Sequence, residues 1–135
     1  MTQEEKQLLL IDLCARLPYK VRIKCDAYPN GAVVKGIVGE QVFHTPYFIG
    51  GEIIIDKHTI DTVRPYLRSM SSMTEEEANE WAKASNMKFD MEDGFFDCYD
   101  AHLSVDWLNK NMFDFRGLIP MGLALEAPDG MYKTE

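Results

Sequence analysis

The sequence lacks the long apolar runs and the leader pattern that mark membrane and secreted proteins. No stretch approaches the ~20 consecutive apolar residues that a membrane-spanning helix requires. The first six residues are polar and acidic, whereas a secretory signal begins with a basic segment followed by an apolar run. We therefore expect a cytoplasmic protein that does not bind membranes.

Cysteine is scarce, and metal-binding motifs are missing. The three cysteines form no CxxC pair, and their odd number and apolar surroundings predict reduced, buried thiols. The densest set of potential metal ligands consists of Asp90, Glu92, Asp93, Asp97, Asp100 and His102. An EF-hand loop counted from Asp90 would need glycine one position after Gly94, and no HExxH is present. We expect no metal and no other cofactor.

Positive charge is in short supply in one half of the chain only. Residues 1–70 carry nine Lys/Arg and eight Asp/Glu, whereas residues 71–135 carry five and fourteen, so the net charge of −8 resides in the second half. An acidic protein repels phosphate backbones at long range, so nucleic-acid binding is not expected.

What the chain does contain is typical of one globular domain spanning residues 1–135. Thr2 and Glu5 form a capping box for a helix from about Gln3 to Arg16, ended by Pro18. Alternating residues predict a strand at 21–25, a turn at 28–31, a strand at 32–38 continuing towards 41–43, and a run at 52–56. Either Gly36 or Gly39 would mark a bulge.

The acidic half reads as mainly helical. Thr74 and Glu77 make a second capping box for a helix ending near Ser85, followed by a polar linker at 86–94. Residues 95–99 predict a strand, and Ser104 is placed as the cap of a third helix reaching Met112. The predicted fold class is α+β, with a small antiparallel sheet or partly open barrel flanked by about three helices.

The seam between the halves holds the predicted binding site. Its residues are arginines, an aromatic ring and hydroxyls placed just before a helix start: Arg64, Tyr66, Arg68, Ser71 and Ser72. Guanidinium groups, hydroxyls and unpaired amides at a helix N-terminus are groups that bind anions or phosphates. The competing interpretation is that the two arginines pair with Glu75, Glu76 or other acids of the second half and join the two halves.

Other residues allow further functional interpretations. Cys98 and His102, four residues apart among acids, allow nucleophilic catalysis, but no oxyanion-hole pattern accompanies them. His44 and His58 are placed in loops without partners. Seven of the eight methionines lie at or after Met70, which suits either an adaptable binding surface or a gap-filled core.

Four segments carry a resemblance to a known group of proteins: residues 8–19, the seam, residues 106–119 and residues 122–128. In these segments the chain resembles a family of short uncharacterised proteins found in gut-anaerobe bacteria and in their phages and mobile elements. The resemblance implies a mobile-element context and no particular activity.

These observations lead to three functional expectations. The first is a non-catalytic binding or adaptor protein that acts through a protein partner or through self-association. The alternative is a binder that sequesters an anionic, nucleotide-like small molecule at the seam. A small hydrolase is the third, and whether the protein is an enzyme is left open.

Overall fold

A computed structural model describes residues 1–26, 28–46, 55–86, 88–90, 95–98 and 101–132. Its helices are α1 (Gln3–Arg16), α2 (Glu75–Ala84) and α3 (Ala101–Lys110). Its longer strands are β1 (Arg22–Cys25), β2 (Tyr28–Val38), β3 (Gln41–Pro46) and β4 (Asp56–Thr59). The remaining strands are β5 (Tyr66–Leu67), β6 (Lys88–Asp90), β7 (Phe95–Cys98) and β8 (Leu125–Glu126). The helices and the antiparallel sheet confirm the predicted α+β class.

The main sheet is an antiparallel meander with strand order β1-β2-β3-β4. On the edge of β1 that faces away from β2, the backbone amide of Lys24 donates to Arg64 O at 2.9 Å, and Ile23 forms a β-bridge with Pro65. The chain then runs into β5, which pairs in parallel with β8. The seam therefore lies directly beside the first strand of the sheet.

The turn predicted at residues 28–31 is wrong, because this segment belongs to β2. Cys25 faces Tyr28 at the end of the hairpin, and the register shifts between Ile23 and Cys25. Gly31 has φ +77°, and a Cβ built there would lie 2.8 Å from Ile23 O. Glycine is needed here because β1 and β2 approach closely at this irregularity.

The predicted bulge and the predicted run at 52–56 are each confirmed only in part. The β2–β3 register shifts between Val34 and Gly36, so the bulge lies next to Gly36, whereas Gly39 (φ +59°) stands in the tight turn between Val38 and Gln41. Of the predicted run at 52–56, residues 52–54 lie outside the described residues, and β4 begins at Asp56.

In the acidic half, α2 begins and ends close to the predicted limits, with Thr74 as its cap. The predicted linker at 86–94 instead contains β6, which pairs with β7. Ser104 is not a cap, because α3 starts at Ala101 and buries the Ser104 side chain. Two thiols also differ from the expected burial: Cys14 is exposed on α1, and Cys25, at the end of β1, is only half-buried although it packs against the core.

The apolar core is assembled from both halves. Leu9 and Leu13 of α1 pack against the inner face of the sheet, where Ile23 and Val42 are buried. The second half contributes Met112, Leu118, Leu123 and Ala124 to the same cluster. None of the helices in the described residues has the length and apolar character needed to cross a bilayer.

Candidate functional site

The five predicted seam residues are divided between two surfaces rather than gathered in one. Arg68 and Ser72 line a large groove between α2 and residues 126–132. Arg64 lines a second groove beside β1 and β4. Tyr66 is half-buried in β5, and Ser71 is exposed in the short 3₁₀ turn before α2.

Arg68 is held by a carboxylate of the acidic half. Its Nη1 and Nη2 donate to Glu77 Oε2 and Oε1 at 2.7 and 2.8 Å, a bidentate pair. Its guanidinium also lies 4.2 Å from the centre of the Phe113 ring. Glu77 in addition closes the α2 capping box by accepting from the Thr74 amide at 3.1 Å. The seam thus contains the Arg–acid bridge of the competing interpretation, formed with Glu77 rather than with Glu75 or Glu76.

The hydrogen bonds from Arg68 are the main cause of a lowered pKa at Glu77, which falls to about 2. Glu77 therefore stays ionised at every pH near neutrality, and it neutralises the arginine that lines the groove.

Arg64 has a different environment. Its Nη1 donates to the backbone oxygens of Val63 at 2.8 Å and Asp61 at 3.2 Å. These contacts fix the guanidinium against its own loop, at the wall of the second groove. That groove has a volume of about 480 Å³, and Lys24, Asp56 and His58 also line it.

An aromatic stack fixes α2 beside the groove. The ring centroids of Trp81 and Trp107 lie 6.5 Å apart, and those of Trp107 and Phe113 lie 5.7 Å apart, with planes within 24°. Trp81 Nε1 donates to Ser104 Oγ at 2.9 Å. Because Arg68 also contacts the Phe113 ring, the stack and the Arg68–Glu77 pair close a ring of contacts that holds α2 in place.

The opposite wall is fixed by Tyr132. Its hydroxyl donates to Tyr66 O at 2.7 Å and accepts from the Arg22 amide at 3.0 Å. Burial raises the pKa of this phenol well above its ordinary value, so it remains a neutral donor. Both walls of the large groove are therefore anchored.

The large groove is strongly acidic. Its volume is about 870 Å³. Five carboxylates line it, against the single guanidinium of Arg68 that Glu77 already neutralises: Glu76, Glu77, Glu80, Glu126 and Asp129. Of these, only Glu77 is half-buried, and the other four are exposed. We call this surface the acidic groove, and its charge suits a cationic group.

Sequence reasoning missed two polar clusters. Asp12 is fully buried and binds Arg16 Nε at 3.0 Å and Arg116 Nη1 at 2.6 Å. His44 and His58, expected in loops without partners, lie on β3 and β4 and stack on each other. The four-residue spacing of Asp12 and Arg16 on α1 was the available signal for the first cluster. No local signal pairs the two histidines.

The sequence also raised metal binding and catalysis by Cys98 and His102, and the structure describes the residues concerned only in part. No group of three His, Cys, Asp or Glu side chains is arranged to hold a metal ion in the part of the chain that the structure describes. The Cys98 side chain lies outside the described residues, so its predicted pairing with His102, an exposed residue of α3, stays a prediction.

Comparison of the chain with protein-family models, with curated proteins and with solved structures finds no match.

Proposed function

We propose that the protein is a non-catalytic binding protein that engages a basic segment of a protein partner in the acidic groove. The observation that carries this proposal is the charge of the groove: four exposed carboxylates surround an arginine that is already neutralised by Glu77. A lysine- or arginine-bearing segment supplies the missing positive charge.

The dimensions and anchoring of the groove support the same function. A volume of about 870 Å³ lies within the range of about 300–1,000 Å³ that is common for ligand sites. Its walls are held by the Trp81 stack on one side and by the Tyr132 hydroxyl on the other. A groove with fixed walls loses less conformational entropy when a partner binds.

The mobile-element context expected from the resemblance fits an adaptor role. A small acidic protein that captures a basic segment of a host protein, or of another subunit, needs no catalytic residues. We propose this context as part of the function.

The direct test uses titration calorimetry with short synthetic peptides carrying two to four arginines. The groove variant combines Glu80→Gln with Asp129→Asn, and the matched control combines Glu40→Gln with Asp106→Asn, exposed acids away from the groove. Since each exposed ion pair contributes about 0.2–1 kcal/mol and the groove variant removes two carboxylates, we expect it to bind about two- to thirtyfold more weakly. The control should change binding little at about 0.15 M salt.

Equal weakening by the groove variant and the control would show that only the overall charge attracts the peptide. That result, or no binding to the unmodified protein, would contradict the proposal.

A second candidate function is sequestration of an anionic, nucleotide-like molecule, and the second groove favours it. Arg64, Lys24 and His58 all line this groove, although the carboxylates of Asp26 and Asp56 equal its Arg and Lys side chains in number. Titration with nucleoside mono- and diphosphates, compared between the unmodified protein and Arg64→Ala, tests it. Binding that survives Arg64→Ala unchanged would contradict this use of the groove.

A further inference from the structure

His44 and His58 form a stacked, hydrogen-bonded pair at the edge of the second groove, which His58 lines. Their ring centroids are 4.7 Å apart with planes at 14°. His44 Nε2 and His58 Nδ1 are hydrogen-bonded at 2.5 Å. His44 is fully buried whereas His58 is exposed, and His44 Nδ1 finds no hydrogen-bond partner in the described residues.

Strand register explains why the rings meet. His44 of β3 lies opposite Asp56 of β4, and Val42 lies opposite His58. Because directly opposed residues share a face, and residues two apart on one strand do as well, both histidines lie on the face that buries Val42. Every residue of β4 is exposed, and the His44–His58 contact attaches one of its side chains to a buried residue of β3.

Proton counting limits the charge that the pair can carry. A hydrogen bond between two ring nitrogens needs one N–H and one lone pair, so the neutral pair and the singly protonated pair both sustain it. When both rings are protonated, two N–H groups face each other and the bond is lost. Two stacked cations also repel, and the one on His44 would be buried without water.

The neighbouring charged groups do not compensate for the repulsion and the burial cost that the second proton brings. The charged or titratable groups acting on His44 are His58 and Asp56, both from β4, and its partner on β2 is the apolar Val34. Of these, only Asp56 favours the charged ring, and it is exposed to solvent. Around His58, the charged groups that line the second groove come from three segments: Lys24, Asp26, Asp56 and Arg64.

We propose that the His44–His58 pair is a proton-sensitive latch, which holds β4 on the sheet while it carries at most one proton and releases the strand when both rings are protonated. Release removes Asp56 and His58 from the wall of the second groove, so acidification reshapes that groove. The latch works independently of the acidic groove.

The lowered pKa of His44 also predicts that attachment of β4 weakens as the pH falls. Burial first, and then His58, lower the pKa of His44 below its ordinary value of 6.5. Between about pH 6.5 and the lowered value, the detached strand binds more protons than the attached one, so attachment weakens as pH falls. Above this window, the full stabilisation by the pair is present.

The test is amide hydrogen exchange between about pH 7.5 and pH 5, corrected for the intrinsic rate, with ring ¹⁵N spectra recorded in parallel. A chelator is included so that adventitious metal cannot bridge the rings. We expect protection of the β3–β4 amides to fall by about tenfold or more while β1–β2 amides stay protected. The fall should coincide with protonation of His44.

Two variants complete the test. His58→Gln keeps a hydrogen-bonding side chain but cannot become a second cation, so β4 protection should lose the part of its pH dependence that repulsion between the two rings causes, while the part caused by burial of His44 remains. His102→Gln, at an exposed position of α3, should leave the response unchanged. The proposal is overturned if β4 stays protected when His44 is protonated, if all strands lose protection together, or if His58→Gln retains the full pH response.

Discussion

At the scale of single residues, a buried carboxylate joins α1 to a later part of the chain. Asp12 accepts from Arg16, which is fully buried, and from Arg116, whose Nη1 also donates to Asn109 at 3.2 Å. Arg16 additionally donates to the backbone oxygens of Leu108 and Phe113, so α1 is bound to the end of α3. A buried ion network of this kind is costly to break because one partner is left charged and dry.

We predict that Asp12→Asn lowers the free energy of unfolding by about 3–5 kcal/mol, because two guanidinium groups lose their counter-charge. Urea denaturation followed by circular dichroism measures this. Asp106→Asn, which changes an exposed acid of α3, should stay within about 0.5 kcal/mol of the unmodified protein. A loss below about 1 kcal/mol for Asp12→Asn would show that solvent relieves the stranded arginines.

Glu77 offers a pH-dependent prediction. Its pKa is lowered to about 2 in the folded protein, chiefly by hydrogen bonds from Arg68, whereas the ordinary value is 4.5. The stabilisation by its charge is therefore present above about pH 4.5 and lost as the pH falls towards 2. The difference in unfolding free energy between the unmodified protein and Glu77→Gln should shrink over this interval. A difference that is constant from pH 6 to pH 2.5 would contradict the lowered pKa.

At the scale of elements, α2 is attached through an aromatic contact and an ion pair. No residue within Glu75–Ala84 is fully buried, and Trp81 alone reaches the stack that includes Trp107 and Phe113. The helix is thus held by the indole together with the Arg68–Glu77 pair.

We predict that Trp81→Ala detaches α2 locally without unfolding the sheet. Amides of α2 should exchange faster, and the cost should be about 2 kcal/mol, below that of a fully buried Trp. Lys83→Ala, on the exposed face of the same helix, should leave exchange unchanged. Uniform loss of protection across β1 to β3 would show that α2 belongs to the cooperative core.

The elements also show how far sequence reasoning reaches. The limits of α1 and the Thr74 cap of α2 follow from local capping chemistry, and both predictions are confirmed. The turn at 28–31 and the linker at 86–94 were wrong because strand pairing across the chain decided those segments.

For the candidate site, the position of the seam could be predicted from the sequence, but the pairing of its arginines with particular acids could not. Arg64 and Arg68 alternate along the chain, yet they line different grooves. The acids at 126 and 129 are distant in sequence and enter the same groove only because β8 pairs with β5. The contact between His44 and His58 likewise depends on the register of two strands.

At the scale of the whole molecule, the two halves distinguished by charge share one interior. The core cluster contains Leu9 and Val34 from the first half and Leu118 and Leu123 from the second. The sequence predicted a single domain, and this shared interior is the reason to expect that neither half folds alone.

We predict that a fragment of residues 1–70 is largely unstructured in isolation, because Met112, Leu118 and Leu123 no longer cover its apolar face. Circular dichroism and one-dimensional NMR of the fragment measure this. Mixing it with a 71–135 fragment should restore dispersed signals. A cooperatively unfolding 1–70 fragment would show instead two separable units.

The hydroxyl of Tyr132 has a consequence for protein synthesis. It joins the chain to the Arg22 backbone, 110 residues earlier, and β8 reaches back across 59 residues to β5. Contacts of such separation form late and slow the folding rate. During synthesis on the ribosome, the apolar face of the sheet therefore stays exposed until the chain up to Tyr132 has emerged. In a nascent chain that stalls before this point, Leu9, Ile23 and Val42 would remain accessible to chaperones instead of packing in the core.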